Sequence, residues 1–335
     1  MKDNATLFVP TLGRIGDQKF LEDLHEANSP LLNRVNLMVI PEEEKGHRKQ
    51  WYGGKVKLRV LPPEIDCIAK KRKWIAHTCD TNCFYIIDDD AAFLPWSGAA
   101  DKHVRLSECA NQDKVASYFE DYLPELLTEN AYVTFSGRFM AKPTIKQHGF
   151  LTNASGYCAV LFDTDRAKSL EYNRMMFYND ADALLQTLSK TGLPPIQDLH
   201  VIMEKKNTKK MDTTGADVYR TSLLVNDSLT KLVRYQSGRV YGMKEPNAHS
   251  IQNRVSISYS NARNWMTLSD RKRDELIQKS EMGLQDMLHR FGLKSPPRYL
   301  PFEDRTPRDE IVSQITSEWT RATNRTQRVR RGLFQ

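Results

Sequence analysis

Asp88, Asp89 and Asp90 follow one another directly behind the apolar run Cys83-Phe84-Tyr85-Ile86-Ile87. Three carboxylates this close repel one another unless a cation sits among them. Hard oxygen ligands in this number suit Mg²⁺ or Mn²⁺, held together with substrate phosphates. The run ahead of them is β-branched and aromatic and too short for a buried helix, so it reads as a strand. A strand that ends in carboxylates puts acid groups at the carboxyl edge of a sheet, where open α/β folds bind ligands. The plainer reading is a solvated acidic turn. Ala91-Ala92-Phe93-Leu94 returns at once to apolar character, which weighs toward a metal–phosphate site.

The elements that must position this cluster follow a strand–helix rhythm. Strands are expected at 5–9, 35–40, 57–61 and 83–87, the first three stopped at Pro10, Pro41 and Pro62-Pro63. Helices are expected at 16–27 and 67–78, the second bearing Lys70, Lys71, Arg72 and Lys73, and a polar, charged loop runs through Gly53-Gly54. Beyond the aspartates come a helix at 113–129 and strands at 131–136 and 157–162. A helix at 180–191 closes at Gly192, and a strand spans 199–203. Such alternation predicts βαβ units and a largely parallel sheet. Residues 206–220 read as a polar loop, 269–291 and 307–322 as helices. The end of the chain holds Arg321, Arg325, Arg328, Arg330 and Arg331, either a basic arm or one face of a terminal helix.

Composition narrows the class. With 335 residues, 40% hydrophobic and 27% charged, the chain can bury a full core. The net charge of +7 points to a polyanionic partner. Five cysteines without framework spacing read as reduced thiols, and Cys83 as a strand residue instead of a zinc ligand with His77 and Cys79. No Gly-rich phosphate cradle of the Walker or dinucleotide type occurs, which argues against an ATPase or a nicotinamide enzyme. No membrane span or signal peptide is read, so the expected place is the cytoplasm.

The combination resembles the glycosyltransferases of the GT-A fold, whose Asp-x-Asp motif holds a divalent metal against a nucleotide-sugar diphosphate. Asp88 and Asp90 fill the two Asp positions, with Asp89 between them. The resemblance implies an α/β, Rossmann-like, mixed and mostly parallel sheet flanked by helices over residues 1–245. Residues 246–335 then form a mainly helical, basic extension. It places Pro10, Thr11 and Arg14 beside the nucleotide base, Lys70 or Arg72 at its phosphates, and His200 (or His249) as a third metal ligand. A narrower resemblance is to the GT-A enzymes of tailed bacteriophages that glycosylate hydroxymethylated bases in DNA. It rests on Pro10-Thr11-x-x-Arg14, the tripled Asp, Ser136-x-Arg138, Asn153-x-x-Gly156, Asp180-x-Asp182 and Tyr219-Arg220.

That resemblance implies a metal-dependent transfer of a sugar, glucose or a pentose such as arabinose, from a nucleotide donor, UDP-linked by preference. Mn²⁺ or Mg²⁺ serves as cofactor. Asp88, Asp89, Arg138, Asn153 and Gly156 then join the nucleotide-sugar site. Arg220 and the terminal arginines face a DNA acceptor, in the host cytoplasm if the chain is phage-encoded. An inverting transfer needs a carboxylate base near the acceptor hydroxyl. Asp180 is preferred over Asp182, because a helix N-terminus keeps a carboxylate ionised; the alternative is a plain cap behind Asn179. Other readings stay open: a polysaccharide or protein acceptor, a nucleotidyltransferase, or a nucleic-acid-binding protein without catalysis.

Overall fold

The computed structural model describes residues 5–51, 53–65, 68–97, 102–137, 149–152, 158–172, 179–205, 233–235, 255–257 and 259–290. Its first strands form where the apolar runs lie: β1 (Thr6–Pro10), β2 (Val35–Val39), β3 (Lys57–Val60) and β4 (Cys83–Ile87). They pair in parallel in the order β3-β2-β1-β4. β2 and β4 are buried along their whole length, as strands covered on both faces must be. Between them lie α1 (Lys19–Glu26), α2 (Glu44–Gln50) and α3 (Ile68–Thr78). The stretch expected to be a polar loop therefore holds a helix. α2 forms there with His47 buried against the core and Lys45, Arg48 and Lys49 exposed to solvent. The chain moves outward from β1 to β2 and β3, then returns past β1 to β4. The winding reverses between β1 and β4, and their carboxyl ends flank the crevice where open sheets take ligands.

The second half departs from a purely parallel pattern. β5 (Ala91–Ser97), β6 (Lys102–His103), β7 (Val133–Gly137), β8 (Phe150–Leu151), β9 (Ala159–Asp163) and β10 (Ile196–Lys205) complete a ten-stranded sheet. Its order is β3-β2-β1-β4-β9-β7-β10-β5-β6, with β8 also on β10. β9 runs antiparallel to both β4 and β7, β10 is parallel to β7, and β5 and β8 are antiparallel to β10. The result is a mixed sheet with most strands in one direction, flanked by helices. The expected helix at 113–129 is a broken one: α4 (Gln112–Ser117), capped by the Asn111 side chain, passes into a π turn over Tyr118–Tyr122 and shorter turns to Thr128.

The sheet is curled, and geometry requires it. In a flat sheet four steps between β4 and β5 would separate them by about 19 Å. The chain from Ile87 to Ala91 spans at most about 14 Å. The bend comes from β10, whose register against β7 jumps between Asp198 and Ile202. An aromatic core fills the concavity: Phe93 lies 4.9 Å from Phe20 and 4.8 Å from Phe119, and Tyr85 donates to the Phe119 carbonyl at 2.8 Å. Such ring pairs add about 0.5–1.5 kcal/mol each beyond their buried area. On the opposite face Phe8 meets Phe84 edge to face.

The described residues fall into two compact units, one made of those within 1–172 and 190–208, the other of those within 173–189 and 209–335. The ten-stranded sheet belongs to the first. The second contains most of the helix Asn179–Thr191, the antiparallel pair β11 (Val233–Tyr235) and β12 (Val255–Ile257), and the helices Tyr259–Arg263 and Asp270–Arg290. Within it Arg273 packs over the Trp265 ring and pairs with Asp270. Among the described residues no helix is long and apolar enough to cross a membrane.

Candidate functional site

The aspartates form the turn between β4 and β5, at the carboxyl end of β4 and beside the end of β1. The turn is closed by Ala91 N–H donating to the Asp88 carbonyl at 3.2 Å, and Asp88 N–H donates to the Cys158 carbonyl at 2.7 Å. Asp89 and Asp90 are buried, and Asp88 is partly open to solvent. Thr11, the first residue past β1, donates its hydroxyl to Asp89 Oδ2 at 2.7 Å. Arg14 Nη1 lies 3.4 Å from Asp89 Oδ1 and 3.1 Å from Asp90 Oδ2. Lys205 Nζ completes the cluster, 3.1 Å from Asp88 Oδ2 and 3.6 Å from Asp90 Oδ1.

The charges tune one another. Burial pushes the Asp89 carboxyl up to about 6, against the pull of the Thr11 hydroxyl and Arg14. Burial lowers the basicity of Lys205, but Asp88 and Asp90 outweigh it and hold the ammonium above the ordinary lysine value. Arg14 is raised in the same way, burial being outweighed by Asp89 and Asp90. Three carboxylates and two cations thus share one edge.

The loop from Thr11 to Gln18 is fixed from the side. Gly13 N–H donates to Glu43 Oε1 at 2.6 Å, Gly16 N–H to Gln50 Oε1 at 2.9 Å, and Trp51 Nε1 to Gln18 Oε1 at 2.7 Å. Gly13 and Gly16 take φ of 68° and 79°, the left-handed region that glycine enters without strain. Pro10 is the buried last residue of β1. Leu12 and Ile15 stand exposed on this loop.

On α3 the residue that turns toward β1 lies between the two expected at the phosphates. Lys71, not Lys70 or Arg72, turns inward: it is buried, and its ammonium donates to the Thr11 carbonyl at 2.7 Å. Lys70 donates to the Glu64 carbonyl at 2.9 Å, and Arg72 is half-buried. At about 100° per residue, neighbours of an inward residue must flank it.

His200 is not gathered with the aspartates. It sits in the bulge of β10, five residues before Lys205, where its Nδ1 lies 3.2 Å from Asp198 Oδ1 and its ring packs against Phe150. The Asp198 hydrogen bond holds its imidazole above the usual histidine range. Asp89, placed at the nucleotide sugar by the resemblance, is buried on Thr11 and Arg14.

In the second unit the helix begins at Asn179, so Asp180 lies in its first turn and is exposed. Asp182 is 2% exposed and accepts from Gln186 Nε2 at 2.9 Å, which makes it a packing residue of that helix. Arg138, Asn153, Gly156, Arg220, Arg321, Arg325, Arg328, Arg330 and Arg331 lie outside the described residues.

Among the described residues no group of three or more His, Cys, Asp and Glu side chains is gathered for a metal ion. Asp88 and Asp90 instead share one cation, the Lys205 ammonium. That arrangement fits an ion that draws its remaining ligands from phosphate and water. A groove of about 660 Å³ lined by Asn82, Glu120, Asp163 and Arg166 lies at the amino end of β4, the wrong edge for a ligand of this sheet.

Sequence reasoning missed Lys205, and on α3 it chose Lys70 or Arg72 over Lys71. For Lys205 the signal was its place at the end of a strand on the same edge as the aspartates, but 117 residues separate it from Asp88.

No family model matches the chain, and no curated protein matches it by sequence. Solved structures align with it at low similarity. The mannosyltransferase PcManGT from Pyrobaculum calidifontis, solved with GDP-Man and Mn²⁺, is 11% identical, over 97% of this chain and 86% of that one, with a TM-score of 0.47. S. aureus TarS 1–349 in complex with UDP-GlcNAc is 11% identical, over 91% of this chain and 98% of that one, with a TM-score of 0.45. The inositol-1-phosphate CTP transferase from T. maritima is 10% identical, over 62% of this chain and 91% of that one, with a TM-score of 0.36. With TM-scores below 0.5, these likenesses assign nothing to this chain.

Proposed function

We propose that the chain is a metal-dependent glycosyltransferase that takes its sugar from a nucleoside diphosphate donor. The observation that carries this reading is the convergence of Asp88, Asp90, Arg14 and Lys205 at the carboxyl edge, between β1 and β4. Asp88 and Asp90 would hold Mn²⁺ or Mg²⁺. When bound, the ion supplies charge neutralisation to the leaving diphosphate. Among the described residues Arg14 and Lys205 are the cations paired with these carboxylates, which outweigh burial and favour their charged forms. Thr11 and Lys71 hold the end of β1 in place beside them.

The acceptor base is assigned to Asp180, on its exposure and its place in a first helical turn. The preferred acceptor is the hydroxymethyl group of a modified pyrimidine in DNA. It is supported by the net charge of +7, by the terminal arginines and by the motif series. Donor and acceptor binding are assigned to residues 1–245, and a basic DNA-facing extension to 246–335.

Mass spectrometry of hydroxymethylcytosine DNA after incubation with a panel of nucleotide sugars and Mn²⁺ tests the reading. A hexose or pentose mass, lost with EDTA and with Asp90→Asn, is the expected result. Sugar released to water without transfer would remove the DNA acceptor and keep the donor site. Turnover of Asp90→Asn at the wild-type rate would remove the metal assignment. Pyrophosphate released from a nucleoside triphosphate would favour a nucleotidyltransferase instead.

A further inference from the structure

The Lys205 ammonium bridges the two carboxylates that the proposed function gives to a metal, at 3.1 Å from Asp88 and 3.6 Å from Asp90. We propose that Lys205 is a resident counter-cation which the divalent ion must displace, and that the nucleoside diphosphate draws it away. Metal and diphosphate would then bind with positive coupling. The inference rests on the metal–diphosphate reading of the same site.

An ammonium and a dication cannot occupy one gap between two carboxylates. With Arg14 on Asp89 and Asp90, and Lys205 on Asp88 and Asp90, the cluster is already largely neutralised. A dication arriving alone meets little net negative charge and a like-charged neighbour. A diphosphate changes both conditions. It gives the Lys205 ammonium new oxygen partners, and it supplies the ion with ligands that the described residues lack.

The chain makes Lys205 the mobile member of the pair of cations. Its backbone is held in register with Ala91, the residue after the triplet, so its stem starts beside the site. Its side chain is 45% exposed, against 28% for Arg14, and a four-carbon stem carries a compact charge through many rotamers. Arg14 is tied to two carboxylates by one planar group on a loop that Gly13 and Gly16 brace against Glu43 and Gln50. Coupling between two ligands is reciprocal, so the metal should tighten diphosphate binding as much as the diphosphate tightens metal binding.

The test is Mn²⁺ binding, followed by the paramagnetic resonance of the free ion, for the full chain and for Lys205→Met, each with and without UDP. Lys205→Gln replaces the Met variant if that one does not fold. The wild type should bind Mn²⁺ weakly alone and at least about ten-fold more tightly with UDP. Lys205→Met should bind Mn²⁺ alone at least about ten-fold more tightly than wild type and lose most of the UDP coupling. Its melting temperature should also rise more on adding Mn²⁺.

Equal Mn²⁺ affinity in wild type and Lys205→Met, with binding abolished in Asp90→Asn, overturns the inference and leaves the metal site standing. Tighter Mn²⁺ binding with the UDP coupling intact overturns the part given to the diphosphate. Mn²⁺ binding unaffected by Asp90→Asn removes the metal site, and the inference with it.

Discussion

Lys71 donates from Nζ to the backbone carbonyl of Thr11 at 2.7 Å, joining α3 to the end of β1 across sixty residues of sequence. Its ammonium is buried, and Thr11 passes the constraint on through its hydroxyl to Asp89. The helix before β4 therefore fixes the loop on the other side of the crevice. Lys71→Met keeps the stem and removes the donor. A hydrogen bond from a charged group contributes about 1.5–3 kcal/mol. Urea unfolding should show a loss of that order, and nucleoside diphosphate binding should weaken with it. Unchanged stability and unchanged binding together would show that the Lys71–Thr11 bond positions nothing.

The sequence made the parallel half of the sheet readable, because strands such as 83–87 are continuous apolar runs stopped by proline or acid. The antiparallel half was harder. β5 holds Pro95 and follows the aspartates without a break, so Ala91-Ala92-Phe93-Leu94 looked like a flank and not a strand. Only its pairing with the bent β10 makes it one, and that pairing is non-local. The face of α3 was hidden for a related reason. Four basic residues in a row erase the apolar stripe, and nothing local marks Lys71 as the one that turns inward. Asp88, Asp90, Thr11 and Arg14 were readable because each lies in the few residues after a strand. Lys205 depends on a register that no motif encodes.

Thr11→Val should cost more than the loss of one hydroxyl suggests. The substitution keeps shape but leaves the buried Asp89 carboxyl without the bond at 2.7 Å. Leaving a buried acceptor unsatisfied costs about 1–3 kcal/mol, more when it is charged. Burial already pushes Asp89 up to about 6, and loss of the hydroxyl removes one of the interactions that restrain it. Thr11→Ser should recover most of the stability in thermal unfolding. If Ser is as damaging as Val, the methyl group and not the hydroxyl is what the site uses.

His47 should make the fold acid-sensitive. It is fully buried in α2, and burial holds its imidazole below the usual histidine value. Glu43, at 3.5 Å, pulls the other way, and Lys71 adds to the lowering. With the folded value below the unfolded one, the unfolded chain takes up the proton first. Stability should therefore fall as pH drops below about 6.5, the ordinary histidine value, toward the folded one, and be unaffected above it. His103, also lowered by burial, acts in the same direction; His200, raised by Asp198, and Asp89, pushed up to about 6 by burial, act in the opposite one. All three remain in His47→Gln, so comparing urea unfolding of wild type and variant from pH 7.5 to 5.5 isolates His47. The wild-type decline should be the steeper. Parallel curves would mean that His47 is not held neutral.

Gly149 and His200 should be coupled through space. A Cβ on Gly149 would lie 2.3 Å from His200 Cε1 and 2.8 Å from Nε2, and Gly149 has a φ of 63°. The ring is bonded to Asp198 and set against Phe150, which hold it although its side chain is 43% exposed. Gly149→Ala therefore carries two costs. The left-handed backbone contributes about 1–2 kcal/mol in any background. Displacing the imidazole adds a second, which is present only while His200 is there. In a double-mutant cycle by urea unfolding, Gly149→Ala should cost less in the His200→Ala background. The difference should fall in the range of about 0.5–3 kcal/mol seen for residues in contact. The residual cost should not reach zero, because the backbone strain survives removal of the ring. An additive cycle would show that the ring yields freely, and that Asp198 and Phe150 do not hold it.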